Sequence, residues 1–398
     1  MITTPRLRLK KGEDRRIKSG HPWIYSNEID IAATPLKKLQ RGQEIIIEAQ
    51  DKTPIGIGYV NPHSLIAARL LSLDPNVSLD KNFFVQQIKN ALALREHLFA
   101  EPYYRLVFGE SDQLPGLVID RFANDFVVQI NTAGMELKSE IIIAALREVF
   151  PDLTSILLKN DSQVRIQEGL ELYVKPAFGQ PKEEITVNEN GVQFVAPLLN
   201  GQKTGWFYDH RLNRARLKAY VKNKRVLDVF SYAGGWGIEA AVFGASEVDC
   251  IEISELAAAF ITRNASLNDV SDKIHVICED AFDAMKKLLH EKKSYDVIIL
   301  DPPAFVKKFK DRKEGFIAYQ RLNEFALKLL NPGGILFSCS CSMHISMEDM
   351  LELLKRAAYR TQHSIQLLER GHQGPDHPLH ICIPETDYLK AVVVRKVF

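Results

Sequence analysis

The chain has 398 residues, too long for one ordinary domain and long enough for two or three with cores of their own. Hydrophobic residues at 46% and charged ones at 25% are a globular composition and exclude wholesale disorder. The net charge of +1 hides segregation: residues 1–41 carry ten Lys/Arg against four Asp/Glu, 202–225 eight against one, and 307–313 five against Asp311 alone. Such stretches suit a phosphate backbone if they share a face, and are plain solvated surface if they do not. No apolar run approaches ~18 residues and the opening MITTPRLRLKKGEDRR has no apolar h-region, so neither a membrane span nor a signal peptide is expected. Five cysteines without a tight spacing framework fit a reducing cytosol, and a cytoplasmic protein is expected.

Residues 1–75 read as small β structure. The runs 45–50, 55–60 and 65–71 are short and β-rich, and Lys52-Thr53-Pro54 and Asn61-Pro62 supply turns between them. Residues 76–185 read as a mixed α+β unit of strand-strand-helix-strand-strand order. An amphipathic helix over 79–99 precedes YRLVFGE, LPGLVIDRF and DFVVQINT, which suggest strands with Gly116 and Asn124-Asp125 in the turns; a helix over 135–149 and strands near 155–159 and 170–174 follow. ENGVQF at 189–194 carries an Asn-Gly hairpin signal. Residues 186–398 then alternate regularly, with strands at 225–230, 247–252, 274–278, 295–300 and 334–339 and helices near 236–243, 255–267, 281–290 and 313–330. Two further strands, 363–368 and 388–397, close the chain across a long polar loop. This is the rhythm of a doubly wound parallel sheet, and seven strands ending in an antiparallel pair match a class I methyltransferase domain.

In VLDVFSYAGGWG (226–237) an apolar strand runs into Gly234, Gly235 and Gly237 with a helix directly behind. Glycines there let the backbone approach a ligand and leave helix amides pointing at it. Glu252, 18 residues past Gly234, ends the next strand, where a carboxylate can accept both ribose hydroxyls. Asp280 follows the third strand, placed for the adenine amine. With Asp228, Phe230 and Tyr232 on the turn, the expected ligand is S-adenosylmethionine. VIILDPPAF ends the fourth strand with Asp301, two prolines that fix the loop (Pro302, Pro303), and Phe305, expected to stack on a flat base. Cys341 follows the fifth strand, beside Asp301 if the two strands are neighbours. A thiolate adding to carbon 6 of cytosine would make carbon 5 nucleophilic enough to take a methyl group, with Asp301 holding or supplying a proton at ring nitrogen 3. An Asp-Pro-Pro loop also suits methylation of amines, and Cys341 alone leaves both acceptors open. Cys339 should point the same way but deeper, and Cys250, Cys278 and Cys382 are expected in the core. His372, His377, His380 and Cys382 have irregular spacing for zinc, and no metal is expected.

These motifs, in order and spacing, resemble the bacterial large-subunit ribosomal RNA methyltransferase I family over essentially the whole chain. GEDRRIKSGHPWIYSNEI and IGIGYVNPHSLIAARLLS look like its N-terminal PUA-type RNA-binding domain. NGQKTGWFYDHRLNR (200–214), VLDVFSYAGGWG, DPPAF, NPGGILFSCSCS and DHPLHICIPETDYLKAVVVRKV are similar to its catalytic motifs. The resemblance implies S-adenosylmethionine-dependent methylation of carbon 5 of a cytidine in 23S ribosomal RNA, with Cys341 as nucleophile. It implicates Thr204, Asp209 and Arg211 beside the cofactor and His377, in Asp-His-Pro, near the substrate. His210 stands where a glutamine is usual, Trp206 where phenylalanine is common, and Ala304 where some members have lysine. Two rivals remain: methylation of a purine ring or exocyclic nitrogen without a covalent intermediate, and a non-catalytic RNA-binding assembly factor. The basic surface at 211–225 serves either RNA or a twin subunit, which leaves a homodimer open.

Overall fold

The computed structural model describes residues 4–199, 201 and 204–397, so Asn200, Gln202 and Lys203 of the GQKTG segment lie outside the described residues. The chain forms two compact units. The first comprises residues 1–183 with 201–204 and 375–386, and the second 184–200, 205–374 and 387–398.

The first unit holds two five-stranded sheets. In the N-terminal one, Ile45 and Ile47 alternate inward along the strand Glu44–Glu48 and meet Leu7, Leu9, Ile17 and Ile24 in a core of their own. Each such side chain contributes about 1.5–3 kcal/mol by leaving water. Strands Arg6–Arg8 and Trp23–Tyr25, absent from the sequence expectation, flank the three predicted ones. They are three residues each, too short to show a period. The strand Pro54–Val60 carries Gly56 and Gly58, where a Cβ would lie 2.1 and 2.0 Å from the carbonyl oxygens of Ser72 and Arg69. Only glycine admits that approach.

The second sheet runs Tyr173–Phe178, Ser155–Asn160, Asp125–Ile130, Leu117–Phe122, Tyr103–Phe108. The three strands before the helix are the three segments that the sequence suggests, one more than the strand-strand-helix-strand-strand order names. Helix Lys81–Leu98 is capped by the Asp80 side chain, which accepts from the Phe83 amide. The predicted helix at 135–149 is split into Ala133–Leu137 and Ser139–Val149, because Lys138 leaves the helical conformation. A bidentate pair Arg95–Asp112 (2.6 and 2.7 Å) joins helix Lys81–Leu98 to the turn after Tyr103–Phe108, and another, Arg105–Asp120 (2.7 and 2.8 Å), lies on the sheet.

In the second unit, Asn190 and Gly191, with φ of 54° and 81°, turn a hairpin between Glu184–Glu189 and Val192–Pro197, as the Asn-Gly signal predicts. The main sheet comprises β1 (Arg225–Val229), β2 (Glu247–Ile251), β3 (Ile274–Ile277), β4 (Tyr295–Leu300), β5 (Leu330–Ser340), β6 (Ile365–Gly371) and β7 (Lys390–Lys396). Its order is β3-β2-β1-β4-β5-β7-β6, parallel except that β7 is antiparallel to both neighbours. Helices α1 (Gly235–Val242), α2 (Glu255–Leu267), α3 (Ala281–His290) and α4 (Arg312–Leu329) fall where periodicity placed them. Helix α5 (Met347–Thr361) fills a stretch before β6 for which no element was expected. Strand order reverses between β1 and β4, so their carboxyl ends flank the crevice where such sheets bind ligands. Among the described residues no helix is long and apolar enough to cross a membrane.

Candidate active site

The turn after β1 is strained. Phe230 (φ 68°) and Tyr232 (φ 51°) adopt the left-handed region that favours glycine, as does Gly234 (φ 86°). Such residues cost on the order of 1–3 kcal/mol each and persist where the surroundings fix them. Here the Phe230 and Ser231 amides both donate to the Ile251 carbonyl (3.0 Å), and Asn264 from α2 donates to the Ala233 carbonyl (2.9 Å). Asp228, fully buried, accepts from the Gly237 amide (2.9 Å); burial pushes its carboxyl up to about 7. A Cβ on Gly237 would stand 2.6 Å from Cys250 Sγ, so α1 lies close on β2.

Glu252, just past β2, accepts from the Tyr232 and Ser254 amides (2.8 and 2.9 Å), one on each oxygen, with lone pairs to spare for a diol. Asp280 uses Oδ1 to cap α3, accepting from Phe282 and Asp283 (2.9 and 3.2 Å), which leaves Oδ2 for a donor. A glycine-led turn, a carboxylate past the second strand and another past the third are groups that S-adenosylmethionine could use.

Segment 206–214 is held by a buried ion cluster that spacing could not foretell. Glu189 receives Arg214 Nε (2.6 Å), Arg211 Nε (3.4 Å) and Trp206 Nε1 (3.1 Å), and Trp206 packs on Phe194 at 4.6 Å between ring centres. Asp209 accepts from the Tyr388 hydroxyl (2.6 Å). Arg211 and Arg214 are therefore interior, Arg216 pairs with Glu369, and Arg225 pairs with Glu247. This corrects the expectation of a basic surface at 211–225, which retains Lys218, Lys222 and Lys224 as exposed cations.

At the end of β4, Asp301 lies 3.1 Å from His210 Nε2 and accepts from Trp236 Nε1 (2.9 Å). Burial raises its carboxyl, but His210 and these bonds outweigh that and hold it below the usual range. An ionised Asp301 can hold a proton and cannot supply one. His210, the departure from the usual glutamine, is thus the partner of Asp301. Ligand atoms of His210, Asp301 and Cys339 lie within 4.8 Å of one another. Burial pushes the Cys339 thiol well up, and Asp301 is already engaged, so the trio fits a packed polar cluster better than a metal site. His372, His377, His380 and Cys382 do not assemble a ligand triad among the described residues.

Beside Asp301, the β4–β5 register pairs Leu300 with Ser338 and brings the fifth strand's end against the prolines. Cys341 is half-buried, its Sγ 4.0 Å from the Pro302 carbonyl oxygen. A chain of hydroxyls fixes the turn around it. The Tyr319 hydroxyl from α4 bonds Ser340 Oγ (3.0 Å) and Ser342 Oγ (2.9 Å), and Ser342 Oγ accepts from the Val306 amide (3.2 Å). The Asp-Pro-Pro loop and the cysteine turn are therefore tied to one helix. Phe305 packs on Tyr319 (4.8 Å) and near Phe230 and Phe282 (6.4 Å each), so its ring is engaged by protein rather than presented for stacking. Pro302 is buried and Pro303 exposed. Cys250 and Cys339 are interior, but Cys278 is exposed and Cys382 half-buried, contrary to expectation: β3 is an edge strand, and Cys382 lies in a loop.

Two predicted residues belong to the first unit. Thr204 is buried, and its hydroxyl has no hydrogen-bond partner among the described residues. His377 is buried against Phe108 (5.1 Å), its Nδ1 3.0 Å from Asp376.

A model of S-adenosylmethionine-dependent methyltransferases matches residues 143–395, and a PUA-like domain matches 7–73. The ribosomal RNA large subunit methyltransferase I of Aliivibrio fischeri is 36% identical over 99% of this chain and 100% of its own. That of Shewanella frigidimarina is 35% identical over 98% and 99%. The chain belongs to the ribosomal RNA large subunit methyltransferase I family. The solved structure of SMU.776 complexed with SAH shares its fold, with a TM-score of 0.83 at 20% identity over 98% of this chain and 100% of that one. Trm5b from Pyrococcus abyssi is more distant, at 0.54 and 17% over 70% of this chain and 75% of that one. Like the family, this protein is an S-adenosylmethionine-dependent methyltransferase carrying a PUA-like domain at its N-terminal end.

Proposed function

We propose that this protein methylates carbon 5 of a cytidine in large-subunit ribosomal RNA through a covalent adduct on Cys341. The observation that carries this reading is the half-buried Cys341 thiol against the Pro302 carbonyl, one strand over from Asp301. The family relatives are named for large-subunit ribosomal RNA, the substrate expected here, and such RNA would place the enzyme in the cytoplasm. Bound S-adenosylmethionine supplies an electrophilic methyl group. Glu252 and Asp280 would hold its ribose and adenine, while Asp228 and Gly237 keep the turn beneath it. Cys341 as thiolate adds to carbon 6 of the flipped base, and carbon 5 of the resulting enamine is the methyl acceptor. Asp301, ionised beside His210 and Trp236, accepts from protonated nitrogen 3 or the base amine and so favours the addition. Loss of the carbon 5 proton to solvent lets the sulfur leave.

An anionic Asp301 also suits a substrate amine, which favours nitrogen methylation as the second reading. RNA containing 5-fluorocytidine separates the two: carbon 5 then carries no removable proton, so a covalent complex should accumulate with the wild type and vanish in Cys341→Ala. The variant should lose at least a thousandfold in rate. Methylation of cytidine at normal rate by Cys341→Ala, or a methylated purine nitrogen in the nucleoside digest, overturns the proposal. The exposed cations of the N-terminal segment, Lys10, Lys11, Arg15, Lys37 and Lys38, are the proposed RNA grip.

A further inference from the structure

Lys390 opens β7 directly across from Ser340, the last residue of β5. It is only 5% exposed. Its Nζ donates to the carbonyls of Ser342 (2.7 Å) and Tyr388 (2.8 Å), and its third N–H has no acceptor among the described residues. No carboxylate there stands within ion-pair distance of it. A buried ammonium without a counter-anion costs several kcal/mol, which an anion formed beside it would offset. Burial lowers the lysine to about 8; among the surrounding charges, Cys341 is the strongest to pull it back up, ahead of Asp387 and Asp349.

We propose that Lys390 is the counter-cation of a Cys341 thiolate, a positioning residue pinned by two carbonyls beside the Ser340-Cys341-Ser342 turn. The step is an ionisation: the S–H bond breaks, its electron pair stays on sulfur, the proton passes to solvent, and Lys390 remains an ammonium that balances the new charge. The other groups on this turn act less favourably on the anion. From β5, Cys339 is held neutral by burial. From α4, the Tyr319 phenol is raised and stays protonated. From the end of β4, Asp301 pushes the neighbouring Cys339 thiol up while Arg216 and Arg214 pull it down, and Asp349 of α5 is already paired with Arg312. Among these groups Lys390 is the cation that donates to the turn itself. The inference deepens the proposed chemistry at Cys341 but is measurable without it.

The test is the pH dependence of Cys341 alkylation by iodoacetamide, read by mass spectrometry of its peptide, in full-length protein with Cys278→Ser and Cys382→Ser. The midpoint should fall at least about one unit below the ~8.5 of an ordinary thiol. Lys390→Met should raise it to that value or above and slow alkylation at pH 7 at least tenfold, while Lys390→Arg should keep it low. A midpoint at or above ~8.5 in the parent overturns the proposal, as does an unchanged midpoint in Lys390→Met. If Lys390→Met fails to fold, the parent midpoint and that of Lys390→Arg decide between the same two outcomes. Nucleoside analysis is a separate readout. A depressed midpoint with a methylated nitrogen keeps the ion pair and sinks carbon 5 chemistry; 5-methylcytidine with an ordinary midpoint does the reverse.

Discussion

Asp228 shows how one buried carboxyl trades stability for a shaped turn. Burial pushes its carboxyl up to about 7 in the folded state, from an ordinary 3.8. Between those values the folded state binds the extra proton. The stabilisation is fully present below about 3.8 and is lost as pH rises through 7. Asparagine keeps the carbonyl that accepts from the Gly237 amide but cannot ionise. Relative to Asp228→Asn, the wild type without ligand should therefore lose on the order of a few kcal/mol between pH 4 and pH 8. Urea unfolding at the two pH values measures it, and parallel curves for the two proteins would contradict the assignment. At this scale the sequence was most legible in position: Gly234, Glu252, Asp301 and Cys341, expected beside strand ends, follow β1, β2, β4 and β5. It was least legible where burial assigns the role. Arg211 and Arg214 read as basic surface and prove to be interior partners of Glu189, and nothing in the sequence links that acid to them. Lys390 lies inside the motif DHPLHICIPETDYLKAVVVRKV but was not singled out there, since its place comes from a pairing across 50 residues.

Among the elements, α5 was missed although its signal was present. Met350, Leu353, Leu354, Ala357 and Ala358 are buried at helical spacing, and Ser346 with Asp349 forms a reciprocal cap. The charged face, rich in Glu, Lys and Arg, masks that stripe in a reading that weighs overall polarity. Periodicity worked for α1 to α4 because each follows a strand and a turn of recognisable chemistry. The three-residue edge strands of the N-terminal sheet escaped for a different reason: pairing partners far along the chain, not local propensity, define them. Because the cap satisfies two amides that α5 would otherwise leave bare, Ser346→Ala should cost about 1 kcal/mol. Equilibrium unfolding in urea would register this as a lower midpoint at unchanged slope. Hydrogen exchange should localise the loss to 346–350, and protection unchanged there would show the cap to be ornamental.

The chain as a whole is not divided at one point. It leaves the second unit after Gly374, adds residues 375–386 to the first, and returns at Asp387 to form β7. Asp376 fixes the excursion: its carbonyl accepts from Arg95 (2.8 Å), its carboxylate from the Arg105 amide (3.1 Å), and it orients His377. A linear domain boundary near 185 could not anticipate this, because a buried aspartate reads like any loop residue. Strands β6 and β7, and with them Lys390, thus bracket a segment ordered by the other unit. Asp376→Ala leaves the Arg105 amide without this acceptor and the His377 ring unpaired, at a cost of about 1–3 kcal/mol. The expected result is faster hydrogen exchange across 375–386 and a lowered thermal midpoint. Affinity for S-adenosylmethionine should hold, because Gly234, Glu252 and Asp280 lie wholly within the second unit. Calorimetric titration with the cofactor separates the two effects: loss of binding together with loss of protection would mean that the excursion shapes the cofactor site itself.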